Sequence, residues 1–282
     1  MSARTPAKLA IVTGSSGRVG AAVVAAFRAA GWTARGADRI PGRHTEIVGD
    51  LRDPRVRRAA VGDAGVLVHA AALHAPHVGS RSDEEFRAVN IGLTADLLAD
   101  AMEADVGRAL YISSTSVYGH ALSCADHTVW VDELLTPRPR DIYDETKLAA
   151  ERLVTTGPLP SVVLRIARCF PEPLMVRAVH LLHRAVDVAD VADAVLLAAD
   201  HAVTGTFNIS GPHPFRRTDC PDLHRDAAAV LARRAPETGA AFRARGWALP
   251  ERVDRVHDST AAAESFGYRP RRGVQQLLGL PQ

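Results

Sequence analysis

Lysine is almost missing from this chain. Of 34 basic residues only Lys8 and Lys147 are lysines; the other 32 are arginines. A chain that uses guanidinium nearly everywhere marks position 147 as one that needs a compact ammonium, which a planar, forked cation does not replace. Cysteine is scarce too. Cys124, Cys169 and Cys220 are odd in number, far apart and without C-x-x-C spacing, so neither a disulfide framework nor a zinc site is indicated. No apolar run approaches a membrane span: residues 19–31 carry Arg28 and end at a glycine. The first apolar run, residues 9–12, is too short for a secretory core, and a cytoplasmic location is expected. An excess of either charge is also absent. With 34 basic and 32 acidic residues the net charge is +2, which gives no electrostatic basis for a nucleic-acid or membrane partner. Aromatics make up 5%, and Trp32, Trp130 and Trp247 are too scattered for a base-stacking platform. His74 and His77 flank a proline with no acidic cluster nearby, so no metal site is expected and a loop at a substrate mouth fits them better.

What is present reads as an α/β protein. Residues 9–12, 32–38, 47–48, 66–69, 110–112 and 161–166 read as strands, and 17–30, 84–103 and 143–153 as helices. That alternation predicts a doubly wound parallel sheet covered on both faces. The last third is less regular. We expect a sheet domain over residues 1–166 and a small, irregular C-terminal lobe over 167–282, with a helix and a strand near 187–210 returning to the main sheet.

Residues 13–20, Thr-Gly-Ser-Ser-Gly-Arg-Val-Gly, follow the first strand and open the first helix. Gly14, Gly17 and Gly20 have the spacing G-x-x-G-x-x-G, which suits a tight turn, close approach of a pyrophosphate and the free N–H groups of a helix start. Ser16, Arg18 and Val19 share this loop. Asp38 ends the second strand, where an acid accepts hydrogen bonds from both ribose hydroxyls of an adenosine and repels a 2′-phosphate. This favours NAD, while Arg39 and Arg18, each able to pair with a phosphate, leave NADP open. Tyr143 and Lys147 stand at i and i+4 on one helix face. Lowering a phenol pKa by roughly three units needs about 4 kcal/mol, which a neighbouring ammonium and a nicotinamide cation together are expected to supply. Ser114, Thr115 and Ser116 put hydroxyls just beyond the end of a strand, where ligands bind in open α/β sheets.

With the 13–20 loop, Asp50-Leu51, His69-Ala70-Ala71-Ala72, Val89-Asn90, Ser113-Ser114 with Val117-Tyr118-Gly119, and Tyr143 with Lys147, residues 8–267 resemble the extended short-chain dehydrogenase/reductase superfamily, in its NAD-dependent epimerase/dehydratase group. The resemblance implies a Rossmann sheet and an enzyme that moves a hydride between nicotinamide and a hydroxyl, hemiacetal or carbonyl carbon. It makes Ser114 the substrate-orienting hydroxyl, Tyr143 the acid/base and Lys147 the holder of the nicotinamide ribose. Asp50 and Leu51 would flank the adenine, Ala70, Ala71 and Ala72 would pass the cofactor's middle, Asn90 would support the site, and Ile166 counts with the cofactor contacts. A homodimer through helices like 84–103 and 143–153 is expected on the same analogy. A sugar 4-epimerase with tightly held NAD is the alternative, and a non-catalytic sensor a weaker one, since such sensors tend to lose the Tyr and Lys.

The stretch from Phe170 to His183 is short where nucleotide-sugar enzymes carry a long clamp, so a small polar substrate, a sugar or sugar acid, is expected. Ser114-Thr115-Ser116 lacks the Asp-Glu pair of 4,6-dehydratases. Residues 164–173 resemble uronate dehydrogenases, and on that resemblance Arg177 would clamp a substrate carboxylate. Arg168, Thr115 and His74 depart from that pattern near the expected substrate, and an added arginine at 168 fits a second anionic group.

Overall fold

A computed structural model of the protein describes residues 8–124 and 126–280. β1 (Leu9–Thr13) is buried along its whole length, as an interior parallel strand must be. Around it lie β2 (Thr33–Asp38), β3 (Ile47–Val48), β4 (Val66–His69), β5 (Arg108–Ser114), β7 (Ser161–Ile166) and β8 (Gly205–Ile209), in the order β3-β2-β1-β4-β5-β7-β8. Every pairing in this sheet is parallel. Side chains alternate between the two faces. Ala10 and Val12 share a core with Val23, Val24 and Phe27 of α1 (Arg18–Ala29), with α7 (Val188–Asp200) and with α11 (Thr260–Phe266). Ile11 packs with α2 (Pro54–Val61) and α4 (Leu93–Glu103), and Tyr111 and Val163 pack with α5 (Ile142–Thr156). The fold is the doubly wound one expected; β8 is the edge strand beside β7, and α7 packs in the core with α1.

Two features differ from the sequence reading. Residues 84–103 are not one helix: α3 (Asp83–Arg87) runs into a π-helical turn at Ala88–Gly92 before α4 begins. The apolar spacing passes through this wide turn unbroken and so does not reveal it. β6 (Val129–Val131) and β9 (Arg255–His257) form a parallel pair outside the main sheet. Each is only three residues long, and the two are far apart in the sequence, so spacing does not reveal the pairing. A separate apolar core joins α6 (Leu174–Leu181), α8 (Cys220–Arg225), α9 (Ala227–Arg234), α10 (Pro236–Ala244) and α12 (Val274–Leu278). Among the described residues no helix is long and apolar enough to cross a membrane.

The chain leaves β1 toward β2 on one side and reaches β4 on the other, so a crevice opens at the carboxyl end of β1. The turn filling its mouth is packed too tightly for side chains. A Cβ on Gly20 would stand 2.2 Å from the Gly14 carbonyl oxygen. Gly31, by contrast, has φ +80° with nothing within 4 Å. Gly20→Ala should therefore cost roughly 3 kcal/mol or more and Gly31→Ala about 1 kcal/mol. Denaturant melts of the two variants test this, and equal losses would contradict the packing account.

Candidate active site

A cleft of about 560 Å³ runs along the carboxyl ends of the strands. The turn after β1 lines it with Gly14, Gly17, Arg18, Val19 and Gly20, and the end of β2 with Asp38 and Arg39. α1 starts from Gly17, with no side-chain cap and no acid in its first turn. Its first N–H groups and the positive end of its dipole are thus offered to an anion. The Asp38 carboxylate is held by the backbone N–H groups of Ser16 (3.0 Å) and Ile40 (3.2 Å). Ser16 itself is not part of the lining; its hydroxyl donates to the Ile40 carbonyl at 2.7 Å, so it shapes the Asp38 corner instead. Asp50 and Leu51 also line the cleft, as does Arg52, which the sequence reading missed. Arg52 Nε lies 3.1 Å from both Asp50 oxygens, and this pairing holds the Asp50 carboxyl below its usual range. Phosphate-sized space at a helix start beside an acid fits a dinucleotide with free ribose hydroxyls.

Ala70, Ala71 and Ala72 cross the middle of the cleft. The Thr13 hydroxyl accepts from the N–H groups of Ala70 and Ala71, both at 3.2 Å, and so donates to His69 Nδ1 at 2.8 Å. His69 Nε2 then carries the ring proton toward Thr94 Oγ1, 3.0 Å away. Burial, and secondarily the Lys147 charge, push His69 down to about 3, so the ring is a neutral strut. Asn90 lies outside the lining. From the π-helical turn its Oδ1 accepts from Leu73 N (2.8 Å), while its Nδ2 donates to Leu73 O (3.1 Å) and Thr146 Oγ1 (3.0 Å). It ties the cleft wall to α5, a common use of such turns at functional sites.

β5, β7, α5 and the segment after β7 supply further lining, with Ser114, Tyr143, Lys147, Ile166 and Arg168; His74 lines the cleft as well. α5 is capped by the Asp141 carboxylate, which accepts from Asp144 N at 3.0 Å. Tyr143 falls in its first turn, and Lys147 and Glu151 follow at steps of four on the same face. Lys147 is buried. Its Nζ donates to the Ile112 carbonyl at 2.6 Å and sits 4.0 Å above the Tyr111 ring. Burial lowers its pKa to about 7 against the opposing charge of Glu151. Glu151 is itself buried and accepts from Arg165 Nε (3.0 and 3.1 Å), Arg165 Nη2 (2.7 Å) and the Ser113 hydroxyl. Tyr143 is pushed up to about 12 by burial, against a hydrogen bond with Ser114. Lys147 is thus engaged by Ile112, and burial keeps the Tyr143 phenol protonated without the nicotinamide cation that the expectation also invoked.

Three substrate assignments also change. Thr115 is buried and outside the lining. Ser116 donates its hydroxyl to Asp144 and accepts from Arg140 Nη2 at 3.2 Å, which aligns the turn carrying Ser114 with the start of α5. Arg177 donates to Asp187, the cap of α7, and is not brought into the lining. His74 does line the cleft; burial lowers it to about 4, and its ring stacks on His77 at 6.0 Å. Pro76 and His77, from the loop expected at a substrate mouth, also line the cleft, together with Phe170 and Pro171, which carry no periodic signal in the sequence.

Residues 10–170 match the NAD dependent epimerase/dehydratase family. Among curated proteins, the chain is 36% identical over 156 residues to a 3 beta-hydroxysteroid dehydrogenase/Delta 5-->4-isomerase of Mycobacterium tuberculosis, covering 51% of this chain and 41% of that protein. The chain thus matches about two-fifths of such relatives' length. Among solved structures, a short-chain dehydrogenase/reductase superfamily protein from Agrobacterium tumefaciens with bound NAD superposes with TM-score 0.73 at 24% identity, covering 96% of this chain and 95% of that one. A Thermus thermophilus UDP-glucose 4-epimerase in complex with NAD gives TM-score 0.70 at 21% identity, covering 96% and 97%. At these identities the structures speak to the fold.

The charge on Lys147 has a measurable cost. It releases its proton near pH 7 when folded but near pH 10.4 when unfolded. Between those values the unfolded chain binds more protons, so the Lys147 contribution makes stability rise with pH. Lys147→Met removes that contribution. The variant should be more stable than the wild type at pH 7, and its advantage should shrink as pH rises toward about 10. A stability difference that is flat with pH in paired urea melts would contradict the buried-charge assignment.

Proposed function

The chain belongs to the NAD dependent epimerase/dehydratase family, and on that premise we propose that it is an NAD-dependent oxidoreductase. It moves a hydride between nicotinamide and the hydroxyl-bearing, hemiacetal or carbonyl carbon of a small polar compound, a sugar or sugar acid. One observation carries this reading: Ser114, Tyr143 and Lys147 share a single cleft with the glycine turn and Asp38. Gly14, Gly17 and the start of α1 would hold the diphosphate, Asp38 the adenosine ribose, Asp50 and Leu51 the adenine end, and Ala70 to Ala72 the middle. When bound, NAD supplies the hydride acceptor and, in its oxidised form, a positive charge near the phenol. Asp38 favours NAD over NADP in this reading, with Arg39 beside it as the group that would admit a 2′-phosphate.

The protein's own part is orientation and proton handling. Ser114, fixed by its acceptance of Ser116 N at 3.1 Å, presents a hydroxyl to the substrate oxygen. Tyr143 holds a proton at its phenol oxygen, ready to give it to a carbonyl or, in reverse, to take one from an alcohol. Lys147, aimed by the Ile112 carbonyl, keeps an adjustable charge one helical turn away. A homodimer through α4 and α5 and a cytoplasmic setting belong to the same proposal; the free thiols of Cys124, Cys169 and Cys220 suit a reducing compartment.

Tyr143→Phe should lower turnover by roughly 10² to 10⁴-fold while NADH affinity stays within about twofold of wild type. Absorbance at 340 nm across a set of sugars, uronates and sugar phosphates reads the first, and NADH fluorescence titration the second. Near-normal turnover in this variant would overturn the mechanism. Retained NAD with interconverted sugars and no net NADH would instead favour a 4-epimerase.

A further inference from the structure

Arg168 is held more firmly than a surface arginine. Its backbone is clamped on both sides, with its N–H donating to Arg184 O (3.2 Å) and its carbonyl accepting from Val186 N (2.9 Å). Its Nε donates to Glu172 Oε1 at 2.7 Å, and its guanidinium carbon lies 5.3 Å from the Phe170 ring centre. These anchors fix the plane of the fork. Among the described residues no partner takes its two terminal nitrogens, and the side chain is 45% exposed where it lines the cleft.

The surroundings do not neutralise it twice. Glu172 also accepts from His180 Nδ1 at 2.8 Å, and His180 Nε2 lies 2.6 Å from Arg184 Nη2. A guanidinium only donates, so Nε2 is the acceptor and the ring proton sits on Nδ1. His180 is therefore neutral in this arrangement and adds no charge of its own. Arg184, outside the lining, is a second cation nearby, so Glu172 faces both arginines and Asp254, at 3.8 Å, faces Arg184. Among the described residues the acids lining the cleft are Asp38 and Asp50, both on the β2 side, and no Asn or Gln is in that lining. The reacting side thus offers a cation and few groups that read hydroxyls one by one.

Resting on the oxidoreductase reading, we infer that Arg168 determines specificity by taking an oxyanion group of the substrate, a carboxylate or a phosphate monoester, on its two terminal nitrogens. The fork matches either group in a bidentate pair, which a neutral substrate would leave unmade.

D-Glucose, D-glucuronate and D-glucose 6-phosphate share one ring and differ at one carbon, so they isolate the charge. Calorimetric titration into NADH-loaded protein should show one of the charged pair binding at least about tenfold more tightly than glucose, a difference of about 1.4 kcal/mol. The tighter arm identifies carboxylate or phosphate as the natural group. Arg168→Gln should reduce the advantage to within about twofold with NADH affinity unchanged, and Arg168→Lys should retain part of it. Equal or undetectable binding of all three sugars, or an advantage that survives Arg168→Gln, overturns the inference. Failure of the wild type to bind NADH overturns the oxidoreductase reading instead, so the two failures are distinct.

Discussion

A single buried amine organises the reacting end of this protein. Lys147 is almost wholly buried, so its Nζ must find a partner, and it finds the Ile112 carbonyl on β5 two residues before Ser114. Behind it stands Glu151, whose charge opposes the lowering that burial imposes on the amine. Burying a charge is costly unless it is paired and hydrogen-bonded, so this arrangement exists only because the packing around it is complete. Arg165 holds Glu151 from β7 and donates to Tyr118 at 3.1 Å, and Tyr118 donates to Asn208 on β8 at 2.9 Å. The charge of one lysine is thereby tied to three strands and a helix. The same chain of contacts reaches the β6–β9 pair, because Asn208 Nδ2 donates to the Val131 carbonyl of β6 at 3.3 Å.

The cofactor side is built on backbone instead. Tight glycine packing, an uncapped helix start and an acid fixed by two N–H groups make a rigid cradle, with Arg18, Arg39, Asp50 and Arg52 along it. Thr13, His69 and Thr94 carry that rigidity under the crossing segment, and Asn90 carries it into α5. Cradle and proton-handling face are therefore parts of one framework, joined by neutral hydrogen bonds. The open mouth is where this chain has room to differ, and Arg168 is the cation placed there.

Much of this was legible in the sequence because it is local. The spacing of Gly14, Gly17 and Gly20, Asp38 at a strand end, and Tyr143 and Lys147 one helical turn apart each encode geometry within a few residues. The scarcity of lysine added a signal that needed no neighbours. What stayed hidden depends on distant partners. Arg177 reads as a free clamp until α6 turns it toward Asp187. Ser116 reads as a substrate hydroxyl until the 3₁₀ turn docks it on Asp144. Burial cannot be read from spacing either, so a raised Tyr143 and a lowered Lys147 emerge only when the walls are in place.

Because only Lys8 and Lys147 are lysines, protein labelled with ¹³C at the lysine ε-carbon gives two resonances, and the one from Lys147 can be titrated directly. The account predicts that this resonance shifts with a midpoint near pH 7 and that Glu151→Gln moves the midpoint lower. Neither resonance titrating below about pH 9, where an ordinary lysine is still charged, would contradict the buried, Glu151-supported amine on which the site is built.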